Sequence, residues 1–203
     1  MPLVIADISV SLDGFVTGPR PDLRHGLGVG GEPLHTWAMD SDDPVDVDVL
    51  EATRTRTGAV VLGRKLFDIV DGPAGWDDEV GYGGRTSQHR GPQCFVVTHR
   101  HPRTVRLKDR FSIVTDGLDQ ALNDATDAAI ARGGDVVVMG GATLVRQCLD
   151  RGLIEELHLH LAPVVLGSGT HLFGAVRPRQ LEQVDVRVSP NATHLTYRVP
   201  RWS

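Results

Sequence analysis

Four short stretches carry residue types suited to gripping anions or moving protons. In Gly140-Gly141-Ala142-Thr143-Leu144, two residues without side chains lead into a helical stripe. A glycine turn feeding a helix start lets backbone N–H groups close on an anion such as a pyrophosphate. The same turn also suits a plain βαβ packing unit. Gly63-Arg64-Lys65 puts two cations at a second helix start. The helix dipole disfavours them there unless an anion sits between, although two solvated basic residues are the plain alternative. Thr98-His99-Arg100-His101 closes an apolar run with a hydroxyl, an imidazole and a guanidinium. That set suits a ribose 2′-phosphate, with Arg100 making the charge-assisted contact. Asp13-Gly14 follows another apolar run, so Asp13 falls at a strand's carboxyl end, where α/β sheets hold ligands. It is equally suited to supporting the turn.

Other residues carry weaker signals. Trp37 can wall a flat heterocycle or fill core. Asp42, Asp43, Asp46 and Asp48 crowd a helix start where acids suit the dipole, and one of them is a candidate proton donor. His158 and His160 share a strand face, a spacing that metals exploit. No carboxylate or third histidine is obviously placed to complete a set, so no metal is expected, and a packed sheet face or subunit contact is preferred. Residues 17–35 and 71–92 are long glycine-rich loops, the second a lid or simple surface decoration.

These residues need elements to hold them. Leu3–Val10, Ala59–Leu62, Cys94–Thr98, Phe111–Val114 and Val136–Met139 are short apolar runs, the pattern of strands buried on both faces. Helices are expected from Ser41-Asp42-Asp43-Pro44 to about Thr57, after Gly63, and from Gly117 to about Ala131. Another follows Gly141, with Leu144, Val145, Cys148 and Leu149 as its stripe and Gly152 as its stop. Leu153–Ala162 reads as a further strand, and Leu181–Val188 and Thr193–Val199 as an antiparallel tail pair around Ser189-Pro190-Asn191-Ala192. The whole is an α/β chain with a mostly parallel sheet.

At 203 residues one domain, 1–203, is the default. With 40% hydrophobic and 23% charged residues the composition is that of a soluble globular protein. A net charge of −5 leaves no electrostatic footprint for nucleic acid. No apolar run approaches the roughly 18 residues of a membrane span, and the N-terminus lacks the basic and cleavage regions of a signal peptide. Cys94 and Cys148 have neither metal nor disulfide spacing, which fits a reducing cytoplasm.

Taken together, Ser11-Leu12-Asp13-Gly14, Gly63-Arg64-Lys65, Val97-Thr98-His99-Arg100, and Gly140-Gly141-Ala142-Thr143-Leu144 followed by Leu157–Val164 resemble the dihydrofolate reductase superfamily. Within it they resemble the reductase domain of riboflavin-biosynthesis deaminase-reductases, over nearly the whole chain. The resemblance implies a three-layer α/β/α dihydrofolate reductase-like fold with a mixed central sheet that binds NADPH across its strand ends. It places Gly63, Arg64 and Lys65 on phosphates, Thr98 and Arg100 on the adenosine ribose phosphate, and Gly140, Gly141, Ala142, Thr143 and Leu144 around the pyrophosphate and nicotinamide. Asp13 then sits at the substrate end. The chain departs from the pattern at Leu66, where a threonine is usual, and at Ala142, where a third glycine is usual. The folate-pocket acid has no unique match; Asp46 is nearest by count back from Gly63. No HxE and no PCxxC motif exists, which excludes zinc-dependent deamination.

The expected function is therefore an NADPH-dependent oxidoreductase that transfers a hydride to a nitrogen heterocycle or a ribosylamino-pyrimidine. Asp13 and Asp46 are the candidate acids and Trp37 the substrate contact. The rival readings are a true dihydrofolate reductase and an NADPH-binding protein without turnover. The expected partners are a small-molecule substrate and a second copy of the chain, a homodimer built on the 155–166 strand.

Overall fold

In the computed structural model, residues 1–85, 91–174 and 176–201 are described. Residues 86–90, part of the 71–92 loop, lie outside them. In chain order the elements are β1 (Val4–Ser11), β2 (Phe15–Thr17), a 3-10 turn (Glu32–His35), α1 (Thr36–Met39), α2 (Pro44–Arg56), β3 (Thr57–Gly63) and α3 (Arg64–Val70). Next come β4 (Val80–Gly81), β5 (Gly84–Arg85), β6 (Gln93–Val97), β7 (Phe111–Val114), α4 (Leu118–Arg132) and β8 (Asp135–Gly140). The last are α5 (Ala142–Asp150), β9 (Glu156–Ala162), β10 (Thr170–His171), β11 (Glu182–Val188) and β12 (Thr193–Arg198).

The main sheet has eight strands in the order β11-β12-β9-β1-β8-β3-β6-β7. From β9 to β7 every pairing is parallel, while β12 runs antiparallel to both β9 and β11. This is the expected mixed, mostly parallel sheet with an antiparallel hairpin. The parallel strands are buried on both faces, which is why they read as β-branched runs rather than alternations.

Alternation assigns each strand residue to a face. Ala6 and Val10, with Ala59, Val61, Val136, Val138 and Leu157, pack under α4 and α5 in one apolar cluster. Val60, Leu62, Cys94, Val96 and Phe111 pack under α3 on the other face. Leu144, Val145, Cys148 and Leu149 of α5 are all buried, as their spacing predicts. Each fully buried Leu or Val of that stripe contributes about 1.5–3 kcal/mol.

The exit from α5 corrects one expected boundary. Gly152 takes φ 65 and its N–H donates to the carbonyl of Leu149, while Leu153 N–H donates to Cys148. That is the paired closure of a Schellman cap, with Gly152 at C′. Leu153 therefore belongs to the helix stop, and β9 begins only at Glu156.

β9 forms the inner part of the expected dimer segment. It is hydrogen-bonded along both edges, to β1 and β12, and none of its residues is exposed. Past its end, Val165 is 66% exposed. The exposed strand is β11, at the sheet edge.

Candidate active site

Two regions bring chemistry-bearing side chains together. The first lies at the carboxyl ends of three adjacent strands. Strand register sets Leu62 beside Gly140 and Gly63 beside Val97, so the turns after β8, β3 and β6 stand in a row. Gly63 caps α3, and a methyl group on it would meet the Gly140 carbonyl and the Gly141 nitrogen at 3.8 and 3.9 Å. Gly140 takes φ 124, a backbone state that favours glycine, and its peptide bond to Gly141 is cis. A methyl group on Gly141 would meet no atom within 4 Å, so the backbone at the start of α5 faces open space. Ala142 and Leu144 point into the core instead, and Leu144 N–H already donates to Gly141 O at 2.9 Å. Both side chains are therefore taken up by the core, and the Leu144 N–H by the turn itself. Thr143 is exposed, and its hydroxyl accepts from Arg146 at 3.3 Å.

The cations flank this row. Arg64 is half exposed; its Nε donates to Asp68 at 2.8 Å and a terminal nitrogen donates to the Arg100 carbonyl at 3.2 Å. The i, i+4 carboxylate answers part of the dipole conflict seen in the sequence. Arg64 also ties the α3 turn to the Thr98–Arg100 turn. Thr98 is buried, and its hydroxyl donates to the Arg100 carbonyl at 3.0 Å, folding that turn back on itself. Lys65 and Arg100 are exposed.

The second region covers the β1–β9–β12 part of the sheet, on the same face as α2 and α3. Here the sheet is polar. Asp7 Oδ1 lies 3.0 Å from His160 Nε2. His160 Nδ1 lies 2.7 Å from His194 Nδ1, and His194 Nε2 lies 2.7 Å from Asp46 Oδ1. Asp46 is wholly buried and also accepts from Ser41 at 2.6 Å and from the Asn191 amide at 3.0 Å. Burial pushes the Asp46 carboxyl up, but hydrogen bonds from Ser41, Ser189, Asn191 and His194 outweigh it and hold it below the usual range. Burial likewise opposes ionisation of Asp7, and the charge on His160 with bonds from both strand histidines reverses it. His194 is pushed down, first by burial. His158 is raised despite burial, by Asp7 and Glu156.

Trp37 seals this patch. Its Nε1 donates to Ser9 Oγ at 2.9 Å, and its ring lies 4.0 Å from the His160 ring at 30°. It is 6% exposed. The expected substrate wall is thus a lid on histidines, with its polar atom already used. Beside the patch a cavity of about 290 Å³ is lined by Asp7, His158, His160, His194, Arg56 and Glu156, among others.

Asp13 has a different job from the one expected. Its carboxylate accepts from Ser11 Oγ at 2.6 Å, Leu166 N at 3.1 Å and Gly167 N at 2.7 Å. These bonds, that from Ser11 first, hold its pKa at about 2. An acid so stabilised as its anion clamps the 164–172 loop to the end of β1 and is no proton donor near neutrality.

Sequence spacing missed the rest of the histidine patch. The completing groups are His194, 34 residues from His160, and Asp7, far away along the chain. One signal was available: Asp7 is a lone carboxylate inside the apolar run Val4–Val10, and an ionisable group there needs a partner. Among the described residues no group of three or more His, Cys, Asp or Glu is arranged to hold a metal ion, and no helix is long and apolar enough to cross a membrane.

The family model described as the RibD C-terminal domain matches residues 2–195. The chain belongs to this family. Over 188 residues it is 25% identical to the uncharacterized protein YyaP of Bacillus subtilis (strain 168), covering 91% of this chain and 87% of that one. Its fold is shared with a candidate riboflavin biosynthesis protein of Shewanella sp. PV-4, at 22% identity and a TM-score of 0.67, over 99% of this chain and 100% of that one. It is shared also with the diaminohydroxyphosphoribosylaminopyrimidine deaminase/5-amino-6-(5-phosphoribosylamino)uracil reductase of Thermotoga maritima, at 15% identity and a TM-score of 0.61. There the match covers 98% of this chain but 57% of the longer protein. Family membership makes this a riboflavin-pathway reductase-like domain.

Proposed function

We propose that this protein is a cytoplasmic NADPH-dependent reductase acting on a nitrogen heterocycle, with 5-amino-6-(5-phosphoribosylamino)uracil or a close relative as the first candidate. The observation that carries the proposal is the row of turns at Gly63, Thr98 and Gly140–Gly141. It joins bare backbone and open space at Gly141 to exposed cations at Lys65 and Arg100. Such a surface fits a dinucleotide with several phosphates. Gly63, Gly140, Gly141 and Thr143 would hold it by main chain, and Arg64, Lys65 and Arg100 by charge. When bound, NADPH supplies the hydride. The protein supplies alignment of the acceptor and a proton for the atom beside the reduced carbon.

The test is a binding titration with NADPH, followed by its oxidation with the phosphoribosylaminouracil and, separately, with dihydrofolate. Turnover of the first substrate alone is the expected result. Turnover of dihydrofolate alone would make the protein a folate enzyme, and tight binding with no turnover of either would leave a cofactor-binding protein. No binding at millimolar NADPH would end the proposal. The homodimer also stays a proposal; light scattering that finds only 22.0 kDa particles at micromolar concentration would dismiss it.

A further inference from the structure

The buried patch holds more protons than its parts suggest. Asp7, His160, His194 and Asp46 make a chain of three contacts, at 3.0, 2.7 and 2.7 Å. Each contact joins two atoms that carry a lone pair unless a proton lies between them. Two ring nitrogens at 2.7 Å, or a carboxylate oxygen at 3.0 Å from a ring nitrogen, repel without one. Three contacts therefore take three protons. Two neutral imidazoles bring only two.

The positions follow from the ends inward. Asp46 already accepts from Ser41 and Asn191, so it is the acceptor and His194 Nε2 carries the proton between them. Burial disfavours charge on His194 and pushes it down. Its Nδ1 then accepts from His160 Nδ1–H. His160 Nε2 must carry the remaining proton to meet Asp7. The additional charge thus rests on His160, against the Asp7 carboxylate and under the face of Trp37.

We propose that Asp7, His160, His194 and Asp46 form a proton store, whose third proton goes to the substrate atom next to the one that receives the hydride. This rests on the reductase reading above. In that step the His194 Nε2–H bond breaks toward Asp46, its electron pair stays on the imidazole, and Asp46 passes a proton on, so that a new bond forms between that proton and the substrate nitrogen or oxygen. The pair left on that atom by hydride addition is what binds the proton. Water in the cavity of about 290 Å³ beside Asp7 and His158 refills the chain. The orientation suits a relay. Asp7, His158, His160 and His194 all line the cavity, whereas Asp46 does not and sits by Ser41 and by Asn191 in the turn before β12, beyond the carboxyl end of β9.

Other groups around the chain set its proton affinity. His158 lies 3.8 Å from Asp7 and 3.1 Å from Glu156. His35 is held at about 4 by burial and by the charge on His160, so it stays neutral. Tyr82 is influenced by Asp7, and its burial keeps it un-ionised. Arg56 bonds Asp135 and Glu156, and Asp185 and Arg187 face the cavity from β11.

The deciding variant is Asp7→Asn. The Asn amide can donate to a neutral His160 Nε2, so every contact keeps a proton while the store loses its third. Long-range proton–nitrogen correlation on protein labelled with 15N-histidine reads the count directly. The wild type should show His160 doubly protonated and His194 as the Nε2–H tautomer at pH 7; Asp7→Asn should show both rings neutral. Single-turnover NADPH oxidation should fall about 100-fold in Asp7→Asn, with NADPH affinity unchanged. The wild-type rate should fall as pH rises through the loss of the third proton seen by NMR, and the variant rate should not. Two neutral rings in the wild type overturn the proposal. So does an active wild type matched by Asp7→Asn in rate and pH profile, and in that case the reductase reading stands. A wild type that oxidises no NADPH with any acceptor takes down both. If Asp7→Asn does not fold, His160→Gln replaces it in the kinetic arm with the same outcomes, and the wild-type spectrum still decides the count.

Discussion

The row of glycine turns and the histidine–aspartate patch occupy one protein and use polarity in opposite ways. In the patch nearly every polar atom has a partner inside the chain. Asp46 alone takes bonds from Ser41, Asn191 and His194, and Trp37 spends its only donor on Ser9. At the turns, backbone at Gly141 faces open space, and Arg100 stands exposed at the turn after β6. A saturated polar cluster stabilises the fold and sets where its protons sit. An unsaturated one at a strand end waits for a ligand. The contrast separates two meanings that the same residue types carry in a sequence.

The largest effect should come from cutting the saturated side. Asp46→Leu strands three donors in a buried space, and each buried donor left without a partner costs about 1–3 kcal/mol. Urea unfolding should register that loss. A shift within error would mean that the patch is wetter and looser than its bonds suggest. Next comes Gly141→Val, on the open side. Its φ of −71 suits any residue, and the added Cβ would enter open space, so the unfolding midpoint should hold. NADPH affinity should drop at least about tenfold, since the cradle works only while main chain is bare. A midpoint that falls while affinity holds would reverse the assignment of the two regions.

Arg100→Ala should weaken NADPH by about tenfold through a lost charge-assisted bond while leaving NADH nearly unchanged. Arg64→Ala should weaken both dinucleotides, and by less, since Asp68 already shares its charge. Equal losses with Arg100→Ala would move Arg100 off the 2′-phosphate. The smallest effect belongs to Asp13. Its folded pKa of about 2 lies below the unfolded value of 3.8, so its contribution is present above pH 4 and is lost as pH falls toward 2. Asp13→Asn should flatten that acid limb and speed hydrogen exchange at Leu166 and Gly167, with little change in turnover. A collapse of turnover with stable loops would restore Asp13 to catalysis.

Most of the frame was legible. Val136–Met139 and Phe111–Val114 are short apolar runs rich in β-branched residues and the α5 stripe has a helical period, and the structure has two strands and a helix there. Leu153 misled because an apolar residue after a helix-stopping glycine serves the cap as readily as a strand. The turns at Gly63, Thr98 and Gly140 were visible as motifs, and their adjacency came only from the strand order. The patch was largely invisible, because a hydrogen-bonded chain assembled from β1, α2, β9 and β12 leaves no local spacing. Trp37 illustrates the same limit: nothing near it in sequence shows that Ser9 and two imidazoles are its neighbours.

The strand order has a consequence for how the chain is made. β1 lies in the middle of the sheet, with Val4 beside Val136 and Ile5 beside Glu156. During synthesis it leaves the ribosome long before either neighbour exists. Until β8 and β9 emerge, its apolar backbone edges have nothing of their own to zip against, a state that invites aggregation or chaperone capture. Nascent chains stalled short of residue 135 should be protease-sensitive, and protection should arrive late and in a single step once Ala162 has cleared the exit tunnel.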